Sequence, residues 1–262
     1  MVFPLGDAER TRIVPVATYA LIALNVLMFF VQAERGEQFT TSFAATPYEI
    51  THGEDLLAPV VLQTTERVPP FGQARVSEAV IPQGPVPFPI WFTLLSSMFL
   101  HGGVMHLIGN MLYLWIFGDN VEEVLGHLRF VLIYVCCGLV ASLAQIFATP
   151  NSMIPTLGAS GAIAGVMGAY LVWFPAHRIR VLFLYNIIEV PALLMIGIWI
   201  AMQMWSTLGA SSGGSEGGVA YLAHVAGAGA GVFVGLLFRE QARAQGRFRP
   251  ELPRYSRDYD RY

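Results

Sequence analysis

The chain has 262 residues, 55% of them hydrophobic and only 13% charged, with a formal net charge of −3. An ordinary globular domain is about a quarter charged, so this composition excludes a water-soluble domain and places the chain among integral membrane proteins. No nucleic-acid partner is expected.

In chain order, residues 1–13 form a short arginine-bearing amino terminus. The first apolar run, Val14–Gln32, is long enough to span and lacks a small-residue cleavage site, so it reads as a span rather than a removable signal. A long outer loop over 33–103 follows, with seven acidic residues before it reaches the run Pro82-Gln83-Gly84-Pro85-Val86-Pro87-Phe88-Pro89. Its stretches Leu56–Leu62 and Trp91–Leu100 are apolar but too short to cross, which suits interfacial or re-entrant structure, with Trp91 and Phe92 at headgroup level.

Five further spans are expected at Val104–Phe117, Phe130–Phe147, Ser160–Phe174, Val190–Leu208 and Val219–Phe238. Cys136 and Cys137 are adjacent within the third, a spacing that suits packing better than a disulfide. The loop Gly209–Gly218 is rich in glycine and serine, therefore flexible, and is expected to act as a lid. The tail 239–262 is polar and arginine-rich, and is expected to fray beyond its first turn or two and to contact anionic lipid.

All fifteen basic residues are arginine, and their placement orients the chain. Arg10, Arg12, Arg129, Arg178, Arg180 and the seven arginines from Arg239 to Arg261 fall on one side, against Arg35, Arg67 and Arg75 on the other. By the positive-inside rule both termini are cytoplasmic. The expected fold is an all-α, six-helix membrane bundle over 14–238, with a partly membrane-associated first outer loop. The short amino terminus points to a prokaryotic cell (inner) membrane rather than an organelle.

Polar side chains within these apolar segments mark the chemistry, because an ionisable group in a span is expensive and marks a functional site by default. His106 and Asn110 lie four apart on one helix face, with His101 just before them across Gly102-Gly103. Hydrogen bonding between helices is the alternative role for this pair. Ser160 opens the fourth span within Gly158-Ala159-Ser160-Gly161, and Ser160, Ala164 and Gly168 form a small-residue row. His224, Gly227, Ala228, Gly231 and Gly235 give the sixth span a matching face. Close helix packing alone would also explain both faces.

Depth joins the two. The fourth span measures about 22 Å at 1.5 Å per residue, short of the ~30 Å hydrocarbon core, so Ser160 starts below the outer surface. His224 lies about 7 Å inside the outer end of the sixth span by the same rise, at a matching level. The connection Ala148–Ala159 must then descend as non-helical backbone, tolerated where protein buries it or water fills a cavity.

Histidine suits the task of taking a serine's proton, so Ser160 is the candidate nucleophile and His224 the candidate base. The Ser160 N–H, at a helix start, joins His106 and Asn110 as candidate oxyanion donors. Asp119, Glu122, Glu123 and Glu189 lie toward the opposite ends of their spans, so a dyad without an acid is expected. There is no HExxH motif, and His101, His106 and His224 lack a strong ligand spacing, so neither metal nor cofactor is expected.

The set Phe99-Leu100-His101-Gly102-Gly103, His106-Leu107-x-x-Asn110, Gly158-Ala159-Ser160-Gly161 and Ala223-His224-x-x-Gly227 resembles the rhomboid family of intramembrane serine proteases. Gly118-Asp119-Asn120-Val121-Glu122 and Gly126-His127 are also similar to that family. The resemblance runs from about Trp91 to Leu237. It implies Ser160 as nucleophile, His224 as base, His106 and Asn110 as oxyanion stabilisers, His101, Gly158, Gly161 and Gly227 in support, and Glu122 as structural.

The chain departs from the pattern in two places. Trp91-Phe92 stands where some members have Trp-Arg, and Ala164 stands where some have an aromatic residue packed on the catalytic histidine. The implied activity is hydrolysis of peptide bonds in or near transmembrane segments of single-span or multi-span substrates, through an acyl-enzyme. The alternatives are a non-proteolytic relative that binds membrane clients, and a channel or transporter lined by the same polar groups.

Overall fold

The computed structural model describes residues 2–8, 11–68, 73–211 and 220–246. Six apolar helices stand where the six hydrophobic runs lie: α1 (Val16–Arg35), α5 (Val104–Leu125), α6 (His127–Ala148), α7 (Ser160–Trp173), α8 (Ala192–Ser211) and α9 (Tyr221–Leu237). By length and composition α1 and α6 are each sufficient to cross a bilayer, and Ile90–Phe99 with α5, bent by 78°, makes a third; α7, α9 and the Ala192–Leu208 part of α8 are shorter. Most expected boundaries shift by one to three residues, and two shifts change an assignment. The second run does not stop at Phe117 but continues as helix through Glu122 to Leu125, and Val190 belongs to a strand instead of the fifth helix.

The expectation of an all-α protein is corrected by two antiparallel sheets. In one, β1 (Val2–Asp7), β4 (Arg178–Phe183) and β5 (Asn186–Pro191) run in the order β1-β4-β5. The alternation in Arg178-Ile-Arg-Val-Leu-Phe183 buries Ile179 and Val181 and exposes the arginines, the period of a half-buried strand. In the other, β2 (Val60–Val68) pairs with β3 (Gln73–Ile81) as a two-stranded ribbon in the outer loop. The Leu56–Leu62 stretch therefore ends in a strand and is not re-entrant. The Trp91–Leu100 stretch forms short helical turns, including α4 (Thr93–Ser96). Two short helices, α2 (Glu37–Phe43) and α3 (Pro47–His52), complete the loop, and α10 (Arg239–Ala244) is the first part of the tail. The remainder of the tail, 247–262, and residues 212–219 of the expected lid lie outside the described residues.

Polar side chains tie the ends of the helices together. Buried Glu122 accepts from the backbone N–H groups of Ala17 (2.9 Å) and Thr18 (2.7 Å), the Thr18 hydroxyl (2.6 Å) and the His127 ring. A carboxylate on α5 thus caps the first turn of α1, where unpaired N–H groups favour negative charge. Nearby, Asp7 accepts from Tyr170 of α7 and from Asn120 of α5, joining β1 to the bundle. In the outer loop, burial pushes the Glu49 carboxyl above its ordinary range, although Oε1 accepts from Leu56 N–H at 2.8 Å.

Where α7 and α9 cross, backbone meets backbone. A methyl group on Gly227 would overlap the Gly161 carbonyl, one on Gly231 the Gly165 carbonyl, and one on Gly168 the Ala228 carbonyl. The Trp173 indole locks the far end by donating to Gly235 O at 2.7 Å. Such approach requires glycine at each crossing point, as in other tightly packed membrane helices.

Candidate active site

The path into the site is the non-helical segment between α6 and α7. Its backbone is paired with the outer loop: Ala45 and Thr156 exchange both hydrogen bonds (3.0 and 2.8 Å), Tyr48 N–H reaches Ser152 O (3.0 Å), and Gly158 N–H reaches Ser97 O (2.9 Å). Irregular backbone within a hydrophobic bundle needs such partners. The segment ends at Gly158, whose φ of +129° strongly favours glycine. A Cβ built there would lie 2.9 and 3.0 Å from Cε1 and Nε2 of the His106 ring and 3.6 Å from Ser160 Oγ. Glycine at this position therefore makes room for both the turn and the imidazole.

Ser160 is the first residue of α7, and no side chain caps that helix. Its Oγ lies 2.8 Å from His224 Nε2, across 64 residues of sequence. The two helices that carry the pair are those in backbone contact, so main-chain packing fixes the spacing. On the other side of the turn, His106 Nδ1 accepts from Gly102 N–H at 3.3 Å. That leaves the proton on Nε2, the ring atom that faces the Ser160 turn. Asn110, one helical turn along α5, is buried, and its Nδ2 has no hydrogen-bond partner. A buried amide donor without an acceptor is costly.

His101 stands behind His106, with ring centroids 5.2 Å apart in an edge-to-face arrangement. Its backbone is held by Gln32 of α1, which accepts from His101 N–H (3.0 Å) and donates to His101 O (3.2 Å). Gly161 packs against Ala141 of α6, and Gly227 against the Gly161 carbonyl. Ser160 thus meets His224, Gly158 meets the His106 ring, and Gly161 and Gly227 pack beside them.

Three groups near the site were not anticipated. Gln203 Oε1 of α8 lies 2.8 Å from His224 Nδ1, and the Trp199 ring of the same helix packs on the His224 ring, with centroids 5.6 Å apart and planes inclined by 37°. They are four residues apart, one helix face, so α8 supplies the contacts that an aromatic at position 164 does not. Gln203 is also an amide within an apolar run, the signal that singled out His224. The third is Gln145 of α6. With Ser142, Ser97 and Thr156 it lines a cavity of about 30 Å³ next to Ser160, large enough for a water molecule. A larger cavity, of about 480 Å³, is lined by Leu24, Met28, Phe43, Phe92 and Phe99 and offers almost nothing polar for chemistry.

Among the described residues no cluster of three or more His, Cys, Asp or Glu side chains is arranged to hold a metal ion. The chemistry available is that of a serine activated by an imidazole, with hydrogen-bond donors converging nearby and room for water.

Residues 89–241 match the family model described as Rhomboid domain. The chain is 36% identical over 157 residues to Rhomboid protease GluP of Bacillus subtilis, covering 60% of this chain and 24% of that protein. It is 31% identical over 150 residues to Rhomboid protein 1, mitochondrial, of Saccharomyces cerevisiae, covering 55% and 40%. It is 32% identical over 93 residues to Presenilin-associated rhomboid-like protein, mitochondrial, of Mus musculus, covering 35% and 25%. The chain thus spans less than half the length of each of these relatives.

Proposed function

The chain belongs to the rhomboid family of integral membrane proteins, and from that premise we propose that it is an intramembrane serine endopeptidase cutting membrane-protein substrates in or near their transmembrane segments. The observation that carries this reading is the 2.8 Å approach of Ser160 Oγ to His224 Nε2 at the uncapped start of an apolar helix.

Ser160 Oγ attacks the scissile carbonyl carbon while its proton passes to His224 Nε2. The carbonyl oxygen becomes an oxyanion that receives hydrogen bonds from Ser160 N–H, His106 Nε2–H and Asn110 Nδ2–H. The C–N bond breaks as the leaving amine takes the proton from His224, which leaves an acyl ester on Ser160. Water from the cavity by Gln145 then attacks the ester and gives its proton to His224. The second product leaves with the new carboxyl group, and the serine regains its proton.

The same reading takes all six apolar helices as crossings, with both termini on the arginine-rich, cytoplasmic side. The substrate is expected to reach Ser160 from the bilayer and to unwind locally so that a carbonyl is exposed.

Cleavage of a fluorogenic transmembrane substrate in proteoliposomes tests the proposal. Ser160→Ala and His224→Ala variants of equal thermal stability should each lose at least about a thousandfold in rate. Wild-type protein should label irreversibly with a fluorophosphonate, and the Ser160→Ala variant should not. No cleavage and no labelling by the wild type would leave the client-binding alternative in its place.

A further inference from the structure

We propose that Gln203 is the third member of the site, a positioning residue that sets the tautomer and orientation of His224. This rests on the proteolytic reading for its purpose but not for its geometry. An imidazole acting as a general base toward Ser160 must present an unprotonated Nε2, which requires the proton on Nδ1. A neutral ring left to itself divides between two tautomers, and only one can accept from the serine. The Gln203 amide oxygen, 2.8 Å from Nδ1, is an acceptor and therefore holds the proton there. Nε2 is left bare at 2.8 Å from Ser160 Oγ.

The neighbours make this role specific. Among the described residues no carboxylate is paired with the His224 ring; the side-chain partners it has there are Ser160, Gln203 and the face of Trp199. In serine hydrolases with an acid, the carboxylate both orients the imidazole and stabilises the imidazolium that forms. A neutral amide performs the first task and gives little of the second. That suits a site in an apolar bundle, where a buried carboxylate would itself need a partner. Trp199, one turn earlier on the same face of α8, restrains the ring plane, so a single helix fixes both degrees of freedom of the base.

Two variants and two readouts test the assignment. Gln203→Met keeps length and approximate volume but removes the acceptor, while Gln203→Glu keeps an acceptor at the same reach. In full-length protein labelled with ¹⁵N-histidine, the His224 Nδ1 signal, identified by its absence in His224→Ala, should be of the protonated type in wild type and Gln203→Glu. It should shift toward a tautomer mixture in Gln203→Met.

In the cleavage assay Gln203→Met should lower kcat about 10- to 100-fold with KM little changed, and Gln203→Glu should recover most of that loss. A Gln203→Met protein with wild-type kcat and an unchanged ¹⁵N spectrum overturns the proposal. So does a loss that Gln203→Glu fails to recover while both variants keep the wild-type melting temperature, since that marks a packing role. The spectrum needs no turnover. A wild type that cleaves nothing yet holds the Nδ1 proton through Gln203 would therefore sink the proteolytic function and leave the hydrogen bond standing.

Discussion

The contact of α7 with α9 is made backbone to backbone, whereas α8 meets α9 through side chains and leaves much of its length uncovered. On one side, glycines at 168, 227 and 231 let the two helices close until a single added methyl would collide with a carbonyl of the facing helix, while Gly161 and Gly165 admit α6 on the other flank of α7. On the other, Leu193, Leu194, Ile198, Met202 and Trp205 of α8 are exposed, and among its described side chains only Ala192 and Ile196 near its start are fully covered. The proposed nucleophile and base sit on the tight pair; the groups proposed to orient the base sit on the loose helix. Distance between the reacting atoms is therefore a property of the main chain, while tautomer and ring plane depend on a peripheral element.

The largest expected effect attacks the tight side. Gly231→Val places side-chain atoms into the Gly165 carbonyl, and backbone cannot yield as a flexible side chain would. It should cost more than about 3 kcal/mol, seen as a lowered melting temperature in detergent together with loss of cleavage. A normal melting temperature would show that the helices can separate at no cost.

A smaller effect sharpens the comparison at position 164. Ala164 is fully buried, and a Cβ on Gly227 would already lie 3.4 Å from its methyl group. Ala164→Tyr should therefore destabilise by about 1–3 kcal/mol through overpacking, without the gain in activity that restoring a family aromatic would lead one to seek. A faster enzyme of unchanged stability would refute the view that α8 has taken over that task.

The smallest change in stability belongs to the loose side. Trp199→Ala removes a half-buried ring, so it should lower the melting temperature only modestly while reducing kcat about tenfold. Equal damage to both would mean that α8 is as integral to the fold as α9.

The helices were legible because a membrane span is a compositional signal, and the boundaries moved where composition is mixed. Asp119, Glu122 and Glu123 obscured the second half of α5, although Glu122 continues the helix while capping α1 from outside. The sheet β1-β4-β5 was missed because its strands are six residues each, and short alternation between two spans reads as a connection. The site was legible wherever a polar side chain interrupted an apolar run, which found Ser160, His224, His106 and Asn110. Gln203 carried the same mark within Ala201-Met202-Gln203-Met204-Trp205. What sequence could not supply was its partner, because pairing residue 203 with residue 224 depends on how α8 and α9 cross.

The start of α8 is held more firmly than the rest of it. Ala192 N–H reaches His177 O at 2.8 Å and Leu193 N–H reaches Pro175 O at 3.0 Å, and the helix follows directly from β5, the strand paired with β4 in the three-stranded sheet. Gln203 is eleven residues beyond that anchor, about 16 Å along the axis at 1.5 Å per residue. The helix is thus a lever with a fixed fulcrum. A tilt of roughly 10° would swing its arm by about 3 Å at Gln203 over that length, as far as the hydrogen bond to His224 is long. Whatever leans on the second half of α8 acts with that mechanical advantage on one proton.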